Sequence, residues 1–222
     1  MLIVIDGIDG CGKSTQVASL AENLTGKGHS VVVSKWQDSS YIQKLYIGDL
    51  LKRIQEGSVV IPPESRTFLL AADIAYRLQS RVKPWLDEGK VVIGDRYIYK
   101  VIAQGIARGL DKAWLLDLFS FAPKPDLVIM LDVLPEVACT RITSSREISF
   151  YEAGLDVLDE SDKATAFVRF QSDVRREFLR LMNEEQGLII DGNLPLTEQS
   201  RQLVAAVERI SPSEPTDVAR GN

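Results

Sequence analysis

Histidine and cysteine are scarce in this chain. Its 222 residues include one histidine, His29, and two cysteines, Cys11 and Cys139. So few ligands cannot build a metal centre of His and Cys, and a structural disulfide is not expected. We interpret His29 as a solvated turn residue. Cys11 is interpreted as a small loop filler, with an oxidisable thiol as the alternative, because a helix N-terminus lowers a thiol pKa.

Long apolar runs and an excess of positive charge are also missing. No stretch reaches the roughly 18 apolar residues that a membrane-spanning helix needs, and the start of the chain lacks the pattern of a signal peptide. The net charge of −5 disfavours a nucleic-acid binder. We therefore expect a cytoplasmic protein with small-molecule partners, no membrane partner and no nucleic-acid partner.

A glycine-rich loop lies between an apolar run and a helical pattern near the start of the chain. Gly7-x-x-x-x-Gly12-Lys13-Ser14 has the spacing in which backbone N–H groups and a lysine surround phosphates while a serine holds Mg2+. This pattern predicts a P-loop for a nucleoside triphosphate, and a glycine-rich turn without a ligand is the alternative. The loop residues expected to bind the nucleotide are Gly7, Asp9, Gly10, Cys11, Gly12, Lys13, Ser14 and Thr15.

Apolar strands alternate with helical patterns along the rest of the chain. Because such alternation is typical of a parallel sheet covered on both faces, we predict an α/β fold with a five-stranded parallel sheet flanked by helices. Residues 1–210 read as one domain, and residues 211–222 have the composition of a disordered tail. The predicted strands cover 2–5, 31–33, 91–93, 127–132 and 188–190. Beyond the helix that follows the loop, the predicted helices cover 41–55, 64–87, 98–107, 112–120, a segment from Pro135, 159–184 and 196–209.

Polar residues follow the predicted strands, where ligands bind in such sheets. Lys35 follows the second strand, and Asp95-Arg96-Tyr97 follows the third. Arg96 can grip a phosphate with two hydrogen bonds, while Asp95 organises Mg2+ or the attacking oxygen. The alternative is an internal salt bridge that caps the strand.

Two arginines after the fourth strand, Arg141 and Arg146, are candidates for a lid. A loop that carries arginines can close over a transferring phosphate and exclude water, whereas two solvated arginines on a helix are the alternative. The expected catalytic set is therefore Lys13, Asp95, Arg96, Arg141 and Arg146, with Ser14 and Asp95 at the metal.

Taken together, these elements resemble the thymidylate kinase family of P-loop nucleoside monophosphate kinases. The resemblance covers about residues 1–210. Its motifs are the segment 5–16, Gly94-Asp95-Arg96-Tyr97, Arg108-Gly109-Leu110-Asp111, the segment 125–133, Pro135-Glu136-Val137-Ala138 and Phe150-Tyr151-Glu152.

The resemblance implies the P-loop kinase architecture, with a short lid at about 141–152, and transfer of the γ-phosphate of MgATP to dTMP. ATP and Mg2+ are the implied cofactors. Asp9 would bond the 3′-hydroxyl of the acceptor, Tyr97 would crowd its 2′ position, and Asp191 would lie by the adenine. Position 10 is glycine, so the lid arginines would supply the charge.

The chain departs from the family pattern on the acceptor side. Leu70 and Ile74 stand where the family has a phenylalanine that stacks on thymine and an arginine that bonds the base, and Arg77 lies one turn further on. Lys35 replaces an arginine. The implied acceptor-binding set is Asp9, Lys35, Leu70, Ile74, Arg77, Arg96, Tyr97 and Gln104, with Trp36 and Lys100 as further unusual neighbours.

Three further readings stay open at this point. The acceptor is dTMP or, because of these departures, another nucleotide or phosphorylated metabolite. A regulatory nucleotide switch is the rival from another class, although the chain lacks a guanine-reading Asn-Lys-x-Asp segment. The family resemblance also implies a homodimer, for which apolar faces of 41–55 and 64–80 could serve, and the alternative is that these faces only cover the sheet.

Overall fold

The computed structural model describes residues 1–35 and 48–210. The predicted tail at 211–222, Trp36 and the first part of the helix expected at 41–55 lie outside the described residues.

Within the described residues, five parallel strands form one sheet in the order β2-β3-β1-β4-β5. This confirms the predicted α/β class. Because β1 is central, the loop that follows it opens between the ends of β3 and β4. The strands are β1 (Leu2–Asp6), β2 (Val31–Lys35), β3 (Val91–Asp95), β4 (Leu127–Asp132) and β5 (Leu188–Asp191).

Helices follow the strands much as the periodicity predicted, with one interruption. The helix expected over 64–87 contains a π-helical turn at Leu78–Val82. Pro84 has no N–H to donate to the carbonyl one turn earlier, so a wider turn before it accommodates the proline. The helices are α1 (Lys13–Gly26), α2 (Gly48–Glu56), α3 (Pro63–Arg77), α4 (Lys83–Asp87), α5 (Ile98–Ala107), α6 (Lys112–Leu118), α7 (Pro135–Thr143), α8 (Lys163–Glu185) and α9 (Leu196–Ile210).

The core lies between the sheet and its helices. Every residue of β1 and β3 is buried, which explains their nearly continuous apolar sequence. Helix α8 packs against α5 and α7 and contributes three fully buried rings, Phe167, Phe170 and Phe178. None of the helices described is both long and apolar enough to span a bilayer.

Replacing Phe178 by alanine tests the contribution of α8 to the core. The ring is 0% exposed, so we expect Phe178→Ala to lower the free energy of unfolding by about 3–5 kcal/mol. Phe121→Ala is the matched control, since Phe121 is 40% exposed and should cost clearly less. Denaturant unfolding followed by circular dichroism measures both. Equal losses would contradict the described packing of α8.

Candidate active site

The glycine-rich loop connects β1 directly to α1, as the P-loop prediction requires. Gly7 has φ 148°, and a Cβ there would lie 2.6 Å from the carbonyl oxygen of Leu131. Gly12 caps α1 with φ 97°, and a Cβ there would have no atom within 4 Å. The loop therefore packs tightly against β4 at its start and opens to free space at its end, at the helix N-terminus that favours anions.

Lys13 lies inside the curve of this loop. Its ammonium donates hydrogen bonds to the carbonyl oxygens of Gly7 at 2.9 Å and Ile8 at 2.7 Å, and it lies 3.5 Å from the Cys11 sulfur. Both Lys13 and Cys11 are buried, whereas Ser14 and Thr15 are exposed at the start of α1. The ammonium is thus held at the loop by neutral carbonyl oxygens, which a negatively charged phosphate can replace.

Ser14 and Asp95, the predicted metal pair, are brought together across the edge of the sheet. The Ser14 hydroxyl donates to Asp95 Oδ2 at 3.0 Å, and the buried Asp95 Oδ1 has no hydrogen-bond partner in the described part of the chain. A hydroxyl and a carboxylate are the oxygen ligands that Mg2+ takes when phosphates and waters complete its shell. The residues present therefore fit Mg2+.

Asp9 is surrounded by positive charge. Arg96 Nη2 donates to Asp9 Oδ1 at 3.3 Å, and Lys100 Nζ bonds the same oxygen. Burial raises the pKa of Asp9, but the charges of Lys100, Arg96 and Lys13 outweigh burial and hold that pKa far below its usual range. Burial lowers the pKa of Lys100 to about 8 against the opposing pull of Asp9. Asp9 is accordingly an ionised acceptor at neutral pH.

Arg96 adopts an unusual backbone conformation at the end of β3. Its φ of 76° lies in the left-handed region, which costs energy for a residue other than glycine. Its buried Nε has no hydrogen-bond partner among the residues described. The turn directs the guanidinium toward the P-loop with donor capacity to spare.

Asp6 is a site residue that the sequence analysis missed. Its wholly buried carboxylate accepts from the backbone N–H of Gly7 at 2.9 Å and of Tyr97 at 3.1 Å, and burial raises its pKa. It therefore ties the start of the P-loop to the turn after β3. The only signal in the sequence is a charged residue that ends an otherwise apolar strand.

Only some of the residues predicted to bind the acceptor lie in the same pocket. Ile74, Arg77, Arg96 and Tyr97 line one small pocket. The Tyr97 hydroxyl is occupied, because it donates to the carbonyl oxygen of Pro123 at 2.7 Å. The other four predicted positions do not line this pocket: Asp9, Leu70 and Gln104 are buried, and Lys35 is exposed at the end of β2.

The two predicted lid arginines lie in different places. Arg141 donates to the carbonyl oxygen of Gly192 at 3.0 Å, beside Asp191 at the end of β5. Arg146 makes two hydrogen bonds of 2.8 and 2.7 Å to Glu152, which raise its pKa, and the charge of Asp9 acts in the same direction. Arg146 therefore lies within electrostatic reach of the P-loop, whereas Arg141 lies at the edge of the sheet. Glu152 was not assigned a role from the sequence.

The segment around Tyr151 is anchored by stacked arginines, a second feature that sequence reasoning missed. The guanidinium carbons of Arg66 and Arg108 lie 3.5 and 3.7 Å from the centre of the Tyr151 ring. Arg108 also makes hydrogen bonds of 2.7 and 3.0 Å to the two carboxylate oxygens of Asp156. Such stacking and pairing fix the far end of the segment in which the lid is predicted.

Comparisons with known proteins identify the family. A family model described as thymidylate kinase matches residues 5–204. A probable thymidylate kinase of Thermococcus onnurineus is 38% identical over 212 residues, which are 94% of this chain and 97% of that protein. A probable thymidylate kinase 2 of Saccharolobus solfataricus is 35% identical, over 89% of this chain and 91% of that protein. A thymidylate kinase of Carboxydothermus hydrogenoformans is 30% identical, over 86% of this chain and 88% of that protein.

The chain belongs to the thymidylate kinase family. The resemblance stated from the sequence motifs is thus confirmed, and with it the assignment to the nucleoside monophosphate kinases. Thymidylate kinases have the P-loop α/β fold, which agrees with the parallel sheet and the β1–α1 loop described above.

Substitution of Asp6 tests whether its carboxylate joins the P-loop to the turn after β3. Asp6→Ala leaves two buried N–H groups without an acceptor, so we expect a loss of about 2–5 kcal/mol in unfolding free energy. Asp6→Asn keeps one acceptor oxygen and should lose less. Asp191→Ala is the control, because this exposed carboxylate accepts from the neighbouring Asn193. Chemical denaturation that ranks Asp6→Ala level with the control would refute the link.

Proposed function

We propose that this protein is an ATP-dependent kinase that converts dTMP to dTDP. A phosphate oxygen of dTMP forms a bond to the γ-phosphorus of ATP as the bond to the bridging oxygen breaks, and ADP leaves. The observation that carries the proposal is the 3.0 Å hydrogen bond of Ser14 to Asp95, which brings together beside the P-loop two oxygen groups that would bind a metal ion. Membership of the family supports the choice of acceptor.

The donor side would use the P-loop and its neighbours. The backbone N–H groups between Gly7 and Ser14 bind phosphate oxygens, and Lys13 moves from its carbonyl acceptors to the β- and γ-phosphates. Ser14 and Asp95 would hold Mg2+, which would supply positive charge to those phosphates. Arg141 and Asp191, at the edge by β5, lie where the adenine would be received.

The acceptor side would use Asp9 for the sugar 3′-hydroxyl and Arg96 for the phosphate. Arg96 Nε has no partner in the described part of the chain, which supports this role because a bound phosphate would supply an acceptor. Tyr97 would exclude a 2′-hydroxyl by its bulk. Lys35 and Gln104 do not line the described pocket, so each would have to turn toward the nucleotide to contact it.

A specific observation favours a second candidate acceptor. Leu70 and Ile74 are 5% and 1% exposed and offer neither an aromatic ring nor a hydrogen-bond donor to a base. A thymine would then be read by Arg77, whose side chain lines the pocket beside Ile74. A site without a base-reading donor loses specificity, so another nucleotide or phosphorylated metabolite is the alternative acceptor.

The lid would close mainly through the Arg146 side chain. We propose one kinase domain over residues 1–210 with a lid at about 141–152, whose far part is already packed through buried Ile148 and Tyr151. Arg146 would leave Glu152 for the transferring phosphate. We also propose a cytoplasmic location, since Cys11 and Cys139 are both free thiols.

Release of ADP from MgATP tests the proposed reaction. We expect turnover with dTMP to exceed turnover with dUMP, with other nucleoside monophosphates and with no acceptor. Lys13→Ala should lower the rate by about 100-fold or more, because a cation at the transferred phosphate is removed. Lys27→Ala is the matched control, since Lys27 lies at the surface with Glu208.

The outcomes separate the competing functions. No turnover with dTMP, combined with turnover of another acceptor, would move the assignment to that acceptor. Slow hydrolysis that no acceptor accelerates would favour the nucleotide switch instead. Undiminished activity in Lys13→Ala would contradict the P-loop mechanism.

We further propose a homodimer in which α3 takes part. Its inner face carries the buried Leu70 and Ile74, while Phe68 and Tyr76 are 53% and 39% exposed. Phe68 also meets Trp114 of α6 at a ring-centre distance of 5.5 Å. Large exposed rings on one face are typical of a contact with a partner.

Sedimentation at micromolar concentration tests the dimer. We expect the mass of two chains for the native sequence and a shift toward one chain for Phe68→Glu, because a charge would be buried in the contact. Val60→Glu is the control on another exposed position. A clean monomer of the native chain would remove the proposal.

A further inference from the structure

Lys100 occupies a position that disfavours a lysine on two counts. It lies in the first turn of α5, where the helix dipole repels positive charge, and its side chain is only 9% exposed. Burial of an ammonium is costly unless it is paired. Its partner in the structure is Asp9, a carboxylate of the P-loop and not of its own helix.

The two cations that contact Asp9 share a single oxygen. Lys100 and Arg96 both donate to Oδ1, and within residues 1–35 and 48–210 no donor is bonded to Oδ2. The carboxylate is therefore held from one side, and its second oxygen remains available as an acceptor. A substrate hydroxyl is the kind of group that such an oxygen binds.

Lys100 and Arg96 differ in how tightly they contact Asp9. The Arg96 contact is long, at 3.3 Å, and the Arg96 side chain is 28% exposed with its Nε unpartnered in the described chain. Arg96 can therefore turn to a phosphate. If it does, Lys100 is the counterion that remains in contact with Asp9 as a polyanion approaches.

We propose that Lys100 is a positioning residue that fixes Asp9 so that Oδ2 accepts the 3′-hydroxyl of the acceptor nucleotide. It remains on Oδ1 while Arg96 binds the acceptor phosphate. The inference rests on the proposed function, because it requires a nucleoside monophosphate as acceptor. It adds a residue that acts through Asp9 and touches neither phosphate.

A substrate lacking the hydroxyl distinguishes this role from a merely structural one. We would measure kcat/KM with dTMP and with 3′-deoxythymidine monophosphate for the native chain, Lys100→Met and Lys100→Arg. In the native chain, kcat/KM for dTMP should exceed kcat/KM for the 3′-deoxy analogue by about 10- to 100-fold, which is the usual effect of a hydrogen bond to a charged group. Lys112→Met is the control, since Lys112 pairs with Glu184 at the surface.

The expected result is a selective loss. Lys100→Met should lower kcat/KM for dTMP by about 10- to 100-fold and leave kcat/KM for 3′-deoxythymidine monophosphate nearly unchanged. The ratio of the two kcat/KM values should therefore fall toward one. Lys100→Arg should restore part of the ratio. Circular dichroism and ATP binding establish that the variants are folded.

The outcomes that overturn the proposal are distinct from failure of the proposed function. An unchanged ratio in Lys100→Met, whether both substrates lose activity or neither does, would overturn the positioning role. If dTMP is inactive and another nucleotide is turned over, the same ratio is measured with that nucleotide and its 3′-deoxy form. A native chain that phosphorylates no nucleotide would overturn the proposed function and this inference together.

The pH profile gives a second readout. Asp9, Arg96, Lys13 and Asp6 are the charged groups that act on Lys100 or are acted on by it. As Lys100 loses its proton above about pH 8, kcat/KM for dTMP should fall. Lys100→Arg should keep the plateau to higher pH, because guanidinium stays charged. A fall at the same pH in both proteins would contradict the assignment.

Discussion

A buried carboxylate at the end of the central strand holds the P-loop and the turn after β3 together. Asp6 accepts one backbone N–H from each loop, from Gly7 and from Tyr97. The hydrogen bond of Ser14 to Asp95 and the contact of Arg96 with Asp9 both depend on the distance between these two loops, because each joins one loop to the other. Burial of the Asp6 carboxylate is costly, and the charges of Lys13 and Lys100 together with the two backbone N–H donors offset part of that cost.

Around the P-loop, charged groups of opposite sign lie close together among the described residues. Three buried carboxylates face three cations there: Asp6, Asp9 and Asp95 with Lys13, Arg96 and Lys100. An incoming polyanion must therefore exchange partners with groups that are already paired. The groups able to do so are Lys13, which is bonded to neutral carbonyl oxygens, and Arg96, whose Nε has no hydrogen-bond partner among residues 1–35 and 48–210. Preorganisation here consists of cations held in place by replaceable acceptors.

Local sequence patterns predicted the strands and helices well, but they did not predict which distant residues contact each other. The alternation of strands and helices indicated the parallel sheet, and the P-loop spacing indicated the site at its edge. The strand order, however, depends on packing between segments far apart in sequence. The same is true of Asp6 with Tyr97, of Arg146 with Glu152 and of the arginines around Tyr151. A periodic pattern of apolar residues does not predict which charged side chains pair in the folded protein. The π-helical turn before Pro84 was likewise not predicted, because it depends on how the proline fits into the folded helix.

The order of the strands has a consequence for how such an enzyme changes over time. With β1 in the middle, β4 and β5 lie on one side and β2 and β3 on the other. The features proposed for the donor, Arg141 and Asp191, belong to the first half, and Arg96 and Tyr97 belong to the second. The unusual Leu70 and Ile74 lie in α3, which leads into β3. Replacements in α3 can therefore alter the proposed acceptor contacts while Arg141 and Asp191 stay unchanged, whereas replacements at the end of β3 would also disturb Asp95 and the proposed metal contact.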